Sequence, residues 1–191
     1  PYLLHKKCIV GIIMEDTLHS QSHRPILIGK IRKVLYQRLD FAFCFSQDAV
    51  IYIKSLRLKT RIYRSSWSID SDWLRWDLPN RKNTKGTVTF LFVGQLIHRK
   101  GVMPLLHAWQ KFSQTDSAKK QLILIGEGPL RGTAESFSRK AHIHNVHFIG
   151  GIPYKQVKWY YSSSDIFILP TMEDLFTLVV TEAMAYGLPV M

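Results

Sequence analysis

Asp174 and Glu182 stand out in a largely apolar segment near the C-terminus, residues 173–190, which reads EDLFTLVVTEAMAYGLPV. Asp174 and Glu182 have seven residues between them. The segment predicts a loop followed by a helix that begins near Thr177, so that Asp174 precedes the helix and Glu182 lies inside it. Taken singly, each acid is also explained as a helix-capping residue or a solvated helix side chain.

The start of this predicted helix offers a second kind of chemistry. The backbone N–H groups of Thr177 and Leu178 would lack helical partners, and such groups bind anions. Carboxylates nearby accept hydrogen bonds from hydroxyl groups. Together they suit a ligand that is both anionic and rich in hydroxyls, and a sugar nucleotide has both properties.

A basic pair follows another predicted strand. Gly94 ends the apolar run FLFVG, and Arg99 and Lys100 come just before a predicted helix. Cations beside a helix N-terminus suit a phosphate group. The spacing differs from the G-x-x-x-x-G-K-[ST] phosphate loop, and a solvated basic turn is an equally good explanation of the pair alone.

For these residues to form one site, strands and helices must place them at the same edge of a sheet. After Gly86 the chain alternates short apolar runs with helical patterns, which predicts a parallel sheet with right-handed crossovers. Ligands bind at the carboxyl ends of the strands in such sheets. The predicted strands are 87–94, 120–126, 145–150 and 165–170, and the predicted helices are 101–112, 129–141, 154–164 and 178–187.

The first part of the chain has the same α/β character. It predicts strands at 9–14, 41–47 and 61–65 and helices at 26–40 and 47–56, the second of them capped by Ser46. Helix 26–40 is amphipathic and basic, so it could lie on an anionic membrane surface, although packing on the sheet is the favoured interpretation. Residues 65–85 are polar, aromatic and aperiodic, which is typical of a linker.

Composition indicates a globular protein with an anionic partner. The net charge is +12, and residues 1–85 hold 16 Lys and Arg against 7 Asp and Glu. A nucleic acid, a membrane or a phosphorylated substrate would all suit this charge. Nucleic acid is disfavoured, because the aromatic residues are not interleaved with the basic ones in a recognised pattern. No apolar run approaches the ~20 residues that span a bilayer.

The two cysteines, Cys8 and Cys44, lie in apolar runs that resemble strands. We expect both to be reduced core thiols in a reducing compartment, the cytoplasm. Their spacing is not that of metal ligands.

Four motifs in a fixed order carry a resemblance from about Thr87 to the last residue. They are FVGQLIHRKG, LILIGEGPLR, NVHFIGGIP and YYSSSDIFILPTMEDLFTLVVTEAMAYGLPV. In this order they resemble retaining glycosyltransferases of the GT-B fold, in the group called family 4. The resemblance implies two Rossmann-like domains with parallel sheets, each incomplete here. Residues 1–80 would be the C-terminal part of the acceptor-side domain, 81–86 a linker, and 87–191 the nucleotide-sugar-binding domain.

The resemblance also implies roles for single residues on the donor side. Glu182 would hold the ribose hydroxyls, and Asp174 would lie near the donor sugar. Glu173, one residue out of step with the family motif, is the alternative to Asp174 in that role. Lys100 and Arg99 would bind the diphosphate.

Further roles fall on the backbone and on the acceptor side. The backbone of Phe176, Thr177 and Leu178 would meet the sugar and phosphate, with Thr177 in place of a usual glycine. Gln95 occupies a position that is basic in relatives. At the end of strand 9–14, Glu15 would take the position of a catalytic histidine, with His19 nearby.

The implied reaction moves a hexose from a nucleotide-sugar donor to a hydroxyl acceptor with retention, without a metal or cofactor. The acceptor would be a cell-envelope polysaccharide, a lipid-linked glycan or a small molecule, and the protein would be cytoplasmic or peripheral on a membrane. We also expect the chain to be cut at both ends and poorly active alone. Two alternatives stay open: an inactive or binding-only relative, and a sugar-nucleotide epimerase.

Overall fold

The computed structural model describes residues 8–15, 25–66, 86–114, 119–174 and 177–191. The chain divides into two units, Pro1–Ser68 and Ile69–Met191. Of the linker predicted at 81–86, only Gly86 falls within the described residues.

The first unit contains three parallel strands in the order β1-β2-β3. The strands are β1 (Gly11–Met14), β2 (Phe41–Cys44) and β3 (Arg61–Arg64), and the helices are α1 (Ile26–Tyr36) and α2 (Gln47–Ser55). As predicted, Ser46 caps α2, and its Oγ accepts a hydrogen bond of 3.0 Å from the backbone N–H of Ala49. This element order confirms the α/β pattern expected from the sequence.

One face of this sheet carries the core of the unit. Met14, Ala42 and Cys44 point to that face and pack with buried residues of α2. Side chains alternate between the faces of a strand, and so Ile13, Phe43 and Tyr63 lie on the opposite face, where they are exposed.

Helix α1 differs from the favoured prediction, because most of its apolar residues do not pack on the sheet. Tyr36, its last residue, is the buried residue of the helix. The other large apolar side chains of the helix are exposed: Ile26, Leu27, Ile28, Ile31, Val34 and Leu35. An apolar ridge with basic neighbours therefore faces outward.

The two cysteines differ in exposure. The prediction of a buried thiol is confirmed for Cys44 and wrong for Cys8, which is exposed. Cys8 precedes β1 instead of lying within it, since the strand begins at Gly11. Burial raises the pKa of the Cys44 thiol.

The second unit contains four parallel strands in the order β6-β5-β4-β7. The strands are β4 (Thr87–Val93), β5 (Lys119–Ile125), β6 (Val146–Gly150) and β7 (Ile166–Phe167). The helices are α3 (Val102–Ser113), α4 (Arg131–Lys140), α5 (Tyr154–Ser163) and α6 (Leu178–Ala185). All eight occur where the sequence predicts them, although the strand expected at 165–170 is only two residues long.

Both faces of this sheet are covered, which explains why its strands are continuous apolar runs. On β4, Phe90 and Phe92 pack with α3, and Phe90 meets Trp109 edge to face at 5.0 Å. Leu91 points to the other face, where it packs among residues of α5 and α6. Burying one such side chain contributes about 1.5–3 kcal/mol, so these layers fix the strands and the loops that follow them.

No helix among the described residues is long and apolar enough to cross a membrane.

Candidate functional site

The loop after β4 brings a basic turn to the carboxyl edge of the sheet. His98–Lys100 form a short 3-10 turn, and Gly101 follows with φ of +68° before α3 begins. A Cβ atom on Gly101 would overlap the carbonyl oxygen of Pro170, which follows β7. Glycine is therefore required at this position for two reasons, the backbone conformation and the close approach of the two loops.

Hydrogen bonds tie the loops after β4 and β7 together. The backbone N–H of Met172 donates to the carbonyl oxygen of Arg99 at 2.9 Å. In the other direction, Arg99 Nη1 donates to the carbonyl oxygen of Glu173 at 2.6 Å. The backbone of the basic turn is thus held against the segment that carries Asp174.

Asp174 lies between the two cations. Lys100 Nζ donates to its Oδ2 atom, and Arg99 Nη1 donates to Oδ1 at 3.3 Å. The side chains of Asp174 and Lys100 are 11% and 13% exposed, so this contact is shielded from water, whereas Arg99 is 43% exposed. The structure thus brings together three residues from two loops, the basic turn after β4 and the loop after β7. Two cations and one carboxylate leave a net positive charge that suits an anion.

Helix α6 begins at Leu178, directly after this loop, as predicted. Thr177 has φ of −110° and ψ of 80°, so its backbone does not need the left-handed conformation that favours glycine. The side chain of Leu178 is exposed. Gln95 is also exposed, in the loop after β4. Phe176 lies outside the described residues.

Glu182, on α6, has different partners from Asp174. It is buried, and its Oε1 accepts a hydrogen bond from Tyr154 Oη at 3.0 Å while Oε2 accepts one from Tyr161 Oη at 2.9 Å. Burial, reinforced by the charge of Glu182, holds the pKa of Tyr161 far above its usual range. A carboxylate with a donor on each oxygen is a fixed hydrogen-bond acceptor in the second turn of α6.

The two tyrosines were missed by reasoning from the sequence. Both lie on α5, seven residues apart, and residues two turns apart share one face of a helix. That spacing was a usable signal. It was not sufficient alone, because it does not say which carboxylate the face meets.

A glycine turn after β5 supports the same edge. Gly126 has φ of +136°, and a Cβ atom there would overlap the carbonyl oxygen of Gly94. The N–H of Leu96 donates to the carbonyl oxygen of Glu127 at 2.9 Å. The turn that contains Gly126 and Glu127 therefore holds the loop that leads from β4 to the basic turn.

Glu15 belongs to the first unit. It follows β1 directly and is exposed, as expected of a residue at a strand end. His19 lies outside the described residues. Within the part of the chain that the structure covers, no three His, Cys, Asp or Glu residues form a group that could hold a metal ion.

Several known proteins are similar to this chain. An uncharacterized glycosyltransferase of Methanocaldococcus jannaschii is 35% identical over 101 residues, which is 52% of this chain and 25% of that protein. The putative teichuronic acid biosynthesis glycosyltransferase TuaC of Bacillus subtilis is 31% identical over 100 residues, which is 52% of this chain and 23% of TuaC. The chain thus spans about a quarter of these curated relatives.

The crystal structure of Anabaena HepE in complex with UDP and glucose superimposes with a TM-score of 0.76 at 15% identity. The superposition covers 95% of this chain and 52% of HepE. The fold is that of the GT-B glycosyltransferases, of which the chain spans about half.

The family assignment rests on the sequence. Residues 75–191 match the family described as "Glycosyl transferases group 1", and this is more than half of the chain. The matched region contains the basic turn, the loop with Asp174 and the helix with Glu182. This chain therefore belongs to the glycosyl transferases group 1 family.

Proposed function

We propose that the full-length protein transfers a sugar from a nucleotide-sugar donor to a hydroxyl group of an acceptor, with retention of the anomeric configuration. The observation that carries this proposal is the cluster of Arg99, Lys100 and Asp174 at the carboxyl edge of the second sheet. The cluster offers positive charge to a diphosphate and a carboxylate to sugar hydroxyls. HepE, which has the same fold, is a protein solved with UDP and glucose bound.

The proposed chemistry is electrostatic. The acceptor oxygen bonds to the anomeric carbon of the donor while the bond from that carbon to the diphosphate oxygen breaks, and the proton of the acceptor hydroxyl passes to the leaving diphosphate. Negative charge develops on the leaving diphosphate, where Lys100 and Arg99 would stabilise it, aided by the N-terminus of α6. These steps need no metal or cofactor.

On the acceptor side, Glu15 is our candidate catalytic residue. Nuclear magnetic resonance of the product reveals its anomeric configuration. A configuration opposite to that of the donor would contradict retention.

Glu182 is the proposed anchor of the ribose, and Glu182→Gln tests that role. We expect the affinity for the best-bound ribonucleoside diphosphate to fall about 10- to 100-fold, because a hydrogen bond to a charged group contributes about 1.5–3 kcal/mol. Isothermal titration calorimetry of the full-length protein with a panel of ribonucleoside diphosphates measures the change in affinity.

The matched control is Glu135→Gln, on α4, where Glu135 pairs with Arg131 at 2.9 Å. It removes the same charge from a different helix and should leave the affinity unchanged. Equal affinities of the wild type and of Glu182→Gln would refute this site.

We further propose that the acceptor is a polysaccharide or a lipid-linked glycan, used at the cytoplasmic surface of a membrane. TuaC, a relative, is named for teichuronic acid biosynthesis. Helix α1 supports the membrane part of the proposal, because its exposed apolar ridge is flanked by Lys30 and Lys33 and the helix contains no acidic residue. An apolar ridge with basic flanks is typical of helices that lie in the interface of an anionic membrane.

Lys30→Ala and Lys33→Ala together should weaken binding to vesicles of phosphatidylglycerol and phosphatidylcholine. We expect about a fivefold loss for each lysine, because each basic residue near an anionic surface contributes about 1 kcal/mol. Vesicle co-sedimentation measures it, and Lys54→Ala, an exposed lysine on α2, is the control. Binding that is as strong to pure phosphatidylcholine, or unaffected by the double change, would contradict a membrane role.

A further inference from the structure

The proposed role of Glu182 raises a question of access, because the residue is only 5% exposed. We propose that its two tyrosine partners have different tasks: Tyr161 fixes the carboxylate permanently, and the Tyr154 hydroxyl is the partner that the ribose diol replaces when a nucleotide binds. Tyr161 is then a positioning residue, and Tyr154 a residue that the ligand displaces. This inference rests on the proposed function, in which Glu182 accepts hydrogen bonds from the ribose.

Tyr161 cannot leave without opening the core. It is fully buried, and its ring stacks on Tyr186 with centroids 5.6 Å apart and an angle of 10° between planes. Its ring also lies beside that of Phe167 of β7, with centroids 5.8 Å apart. The hydroxyl donates to Glu182 Oε2 at 2.9 Å, and the carbonyl oxygen of Val179 lies 3.3 Å away. Oε2 is therefore held on the inner side by a donor that packing keeps in place.

Tyr154 is placed quite differently. It is the first residue of α5, directly after the loop that leaves β6, and the residue is 54% exposed. Its hydroxyl donates to Glu182 Oε1 at 3.0 Å. An exposed side chain changes rotamer on a fast time scale, and a released phenol regains its hydrogen bond from water. The Tyr154 hydroxyl thus covers the outward oxygen of Glu182 from a position where it can exchange with another donor.

The exchange keeps the number of hydrogen bonds to Glu182 constant. An ionised carboxylate only accepts hydrogen bonds, and the ribose diol offers two O–H donors. When the Tyr154 hydroxyl leaves Oε1, a ribose hydroxyl can donate to the same oxygen, so one hydrogen bond replaces another of the same kind. Binding then depends on the difference between the two, which makes Tyr154 a direct competitor of the ribose.

Competition predicts an unusual gain of affinity. In Tyr154→Phe, Oε1 has lost its resident donor, and the ribonucleoside diphosphate should bind about three- to tenfold more tightly. The 2′,3′-dideoxy analogue of the same nucleotide should bind as it does to the wild type, because it has no hydroxyl to donate. Isothermal titration of the full-length protein with both nucleotides gives the ratio of the two affinities.

Tyr161→Phe should act in the opposite direction. It keeps the ring and its stacking but leaves Oε2 without its buried donor. The ribonucleotide should bind about tenfold more weakly, and the dideoxy analogue as before. In turnover assays the KM for the donor should rise with little change in kcat, whereas a merely structural defect would lower the affinity for both nucleotides. Tyr160→Phe, the same chemical change at the next position of α5, should alter neither.

The outcomes separate this inference from the proposed function. Glu182→Gln should abolish the preference for the ribonucleotide over its dideoxy analogue. If that preference survives, the role of Glu182 fails and this inference fails with it. If the preference is lost but Tyr154→Phe binds the ribonucleotide no better than the wild type, only the displacement of Tyr154 is overturned. Because Tyr154 is exposed, its variant decides the matter even if Tyr161→Phe does not fold.

Discussion

Replacing Lys100 with alanine is expected to lower the turnover of sugar transfer by about 100- to 1,000-fold, the usual cost of removing a group that stabilises developing charge. In the structure Lys100 Nζ donates to Asp174, and the side chain is only 13% exposed. A charge in such a shielded place acts more strongly than one in water. Its removal would leave the diphosphate without its least hydrated cation and would leave Asp174 with Arg99 as its remaining cationic contact.

Steady-state kinetics of the full-length protein with the nucleotide sugar measures this effect. Lys111→Ala is the matched control, since Lys111 is an exposed lysine in the last turn of α3. It should retain the wild-type turnover. A Lys100→Ala protein that keeps its turnover would show that the basic turn is not the diphosphate site.

A methyl group at Gly101 should cost both stability and activity. With φ of +68°, an alanine there would lose about 1–2 kcal/mol from its backbone conformation alone. The overlap of its Cβ with the carbonyl oxygen of Pro170 must then be relieved by moving one loop away from the other. We expect the free energy of unfolding to fall by at least about 2 kcal/mol, and the contact between Lys100 and Asp174 to loosen.

Urea unfolding measures the stability term, and donor turnover measures the loss of alignment. Gly132→Ala is a demanding control, because Gly132 lies in α4 with nothing within 4 Å of the position of a Cβ atom. That variant should be more stable by about 0.5–1 kcal/mol. If Gly101→Ala were as stable and as active as Gly132→Ala, the close packing of the two loops would be wrong.

The second unit was well predicted from the sequence because its strands are long apolar runs between helical patterns. A parallel sheet that is covered on both faces leaves this signature. The edge that carries the basic turn and Asp174 followed from the same pattern, since parallel strands end on one side. The direct contact between Lys100 and Asp174 did not follow, because it depends on the approach of Gly101 to Pro170.

For the first unit and for the partners of Glu182, the sequence pattern predicted less of the structure. An amphipathic spacing shows that α1 has an apolar face but not what that face meets, and here the face is exposed. The apolar run around Cys8 looked like strand, yet pairing with β2 begins only at Gly11. The partners of Glu182 come from a helix that is distant in sequence, and hydrogen bonds between such elements depend on packing that no local pattern encodes.

Asp174 and Glu182 are close in the chain, yet they are served by different neighbours. Asp174 is held by the turn after β4, and Glu182 by tyrosines of α5, which follows β6. Because they share no partner, the two side chains can be changed separately, and a double-mutant cycle measures how far their contributions to binding add. The two ends of a donor would therefore be read by separate parts of the protein. Preference for the transferred sugar and preference for its carrier nucleotide could then be changed one at a time, in evolution as in the laboratory.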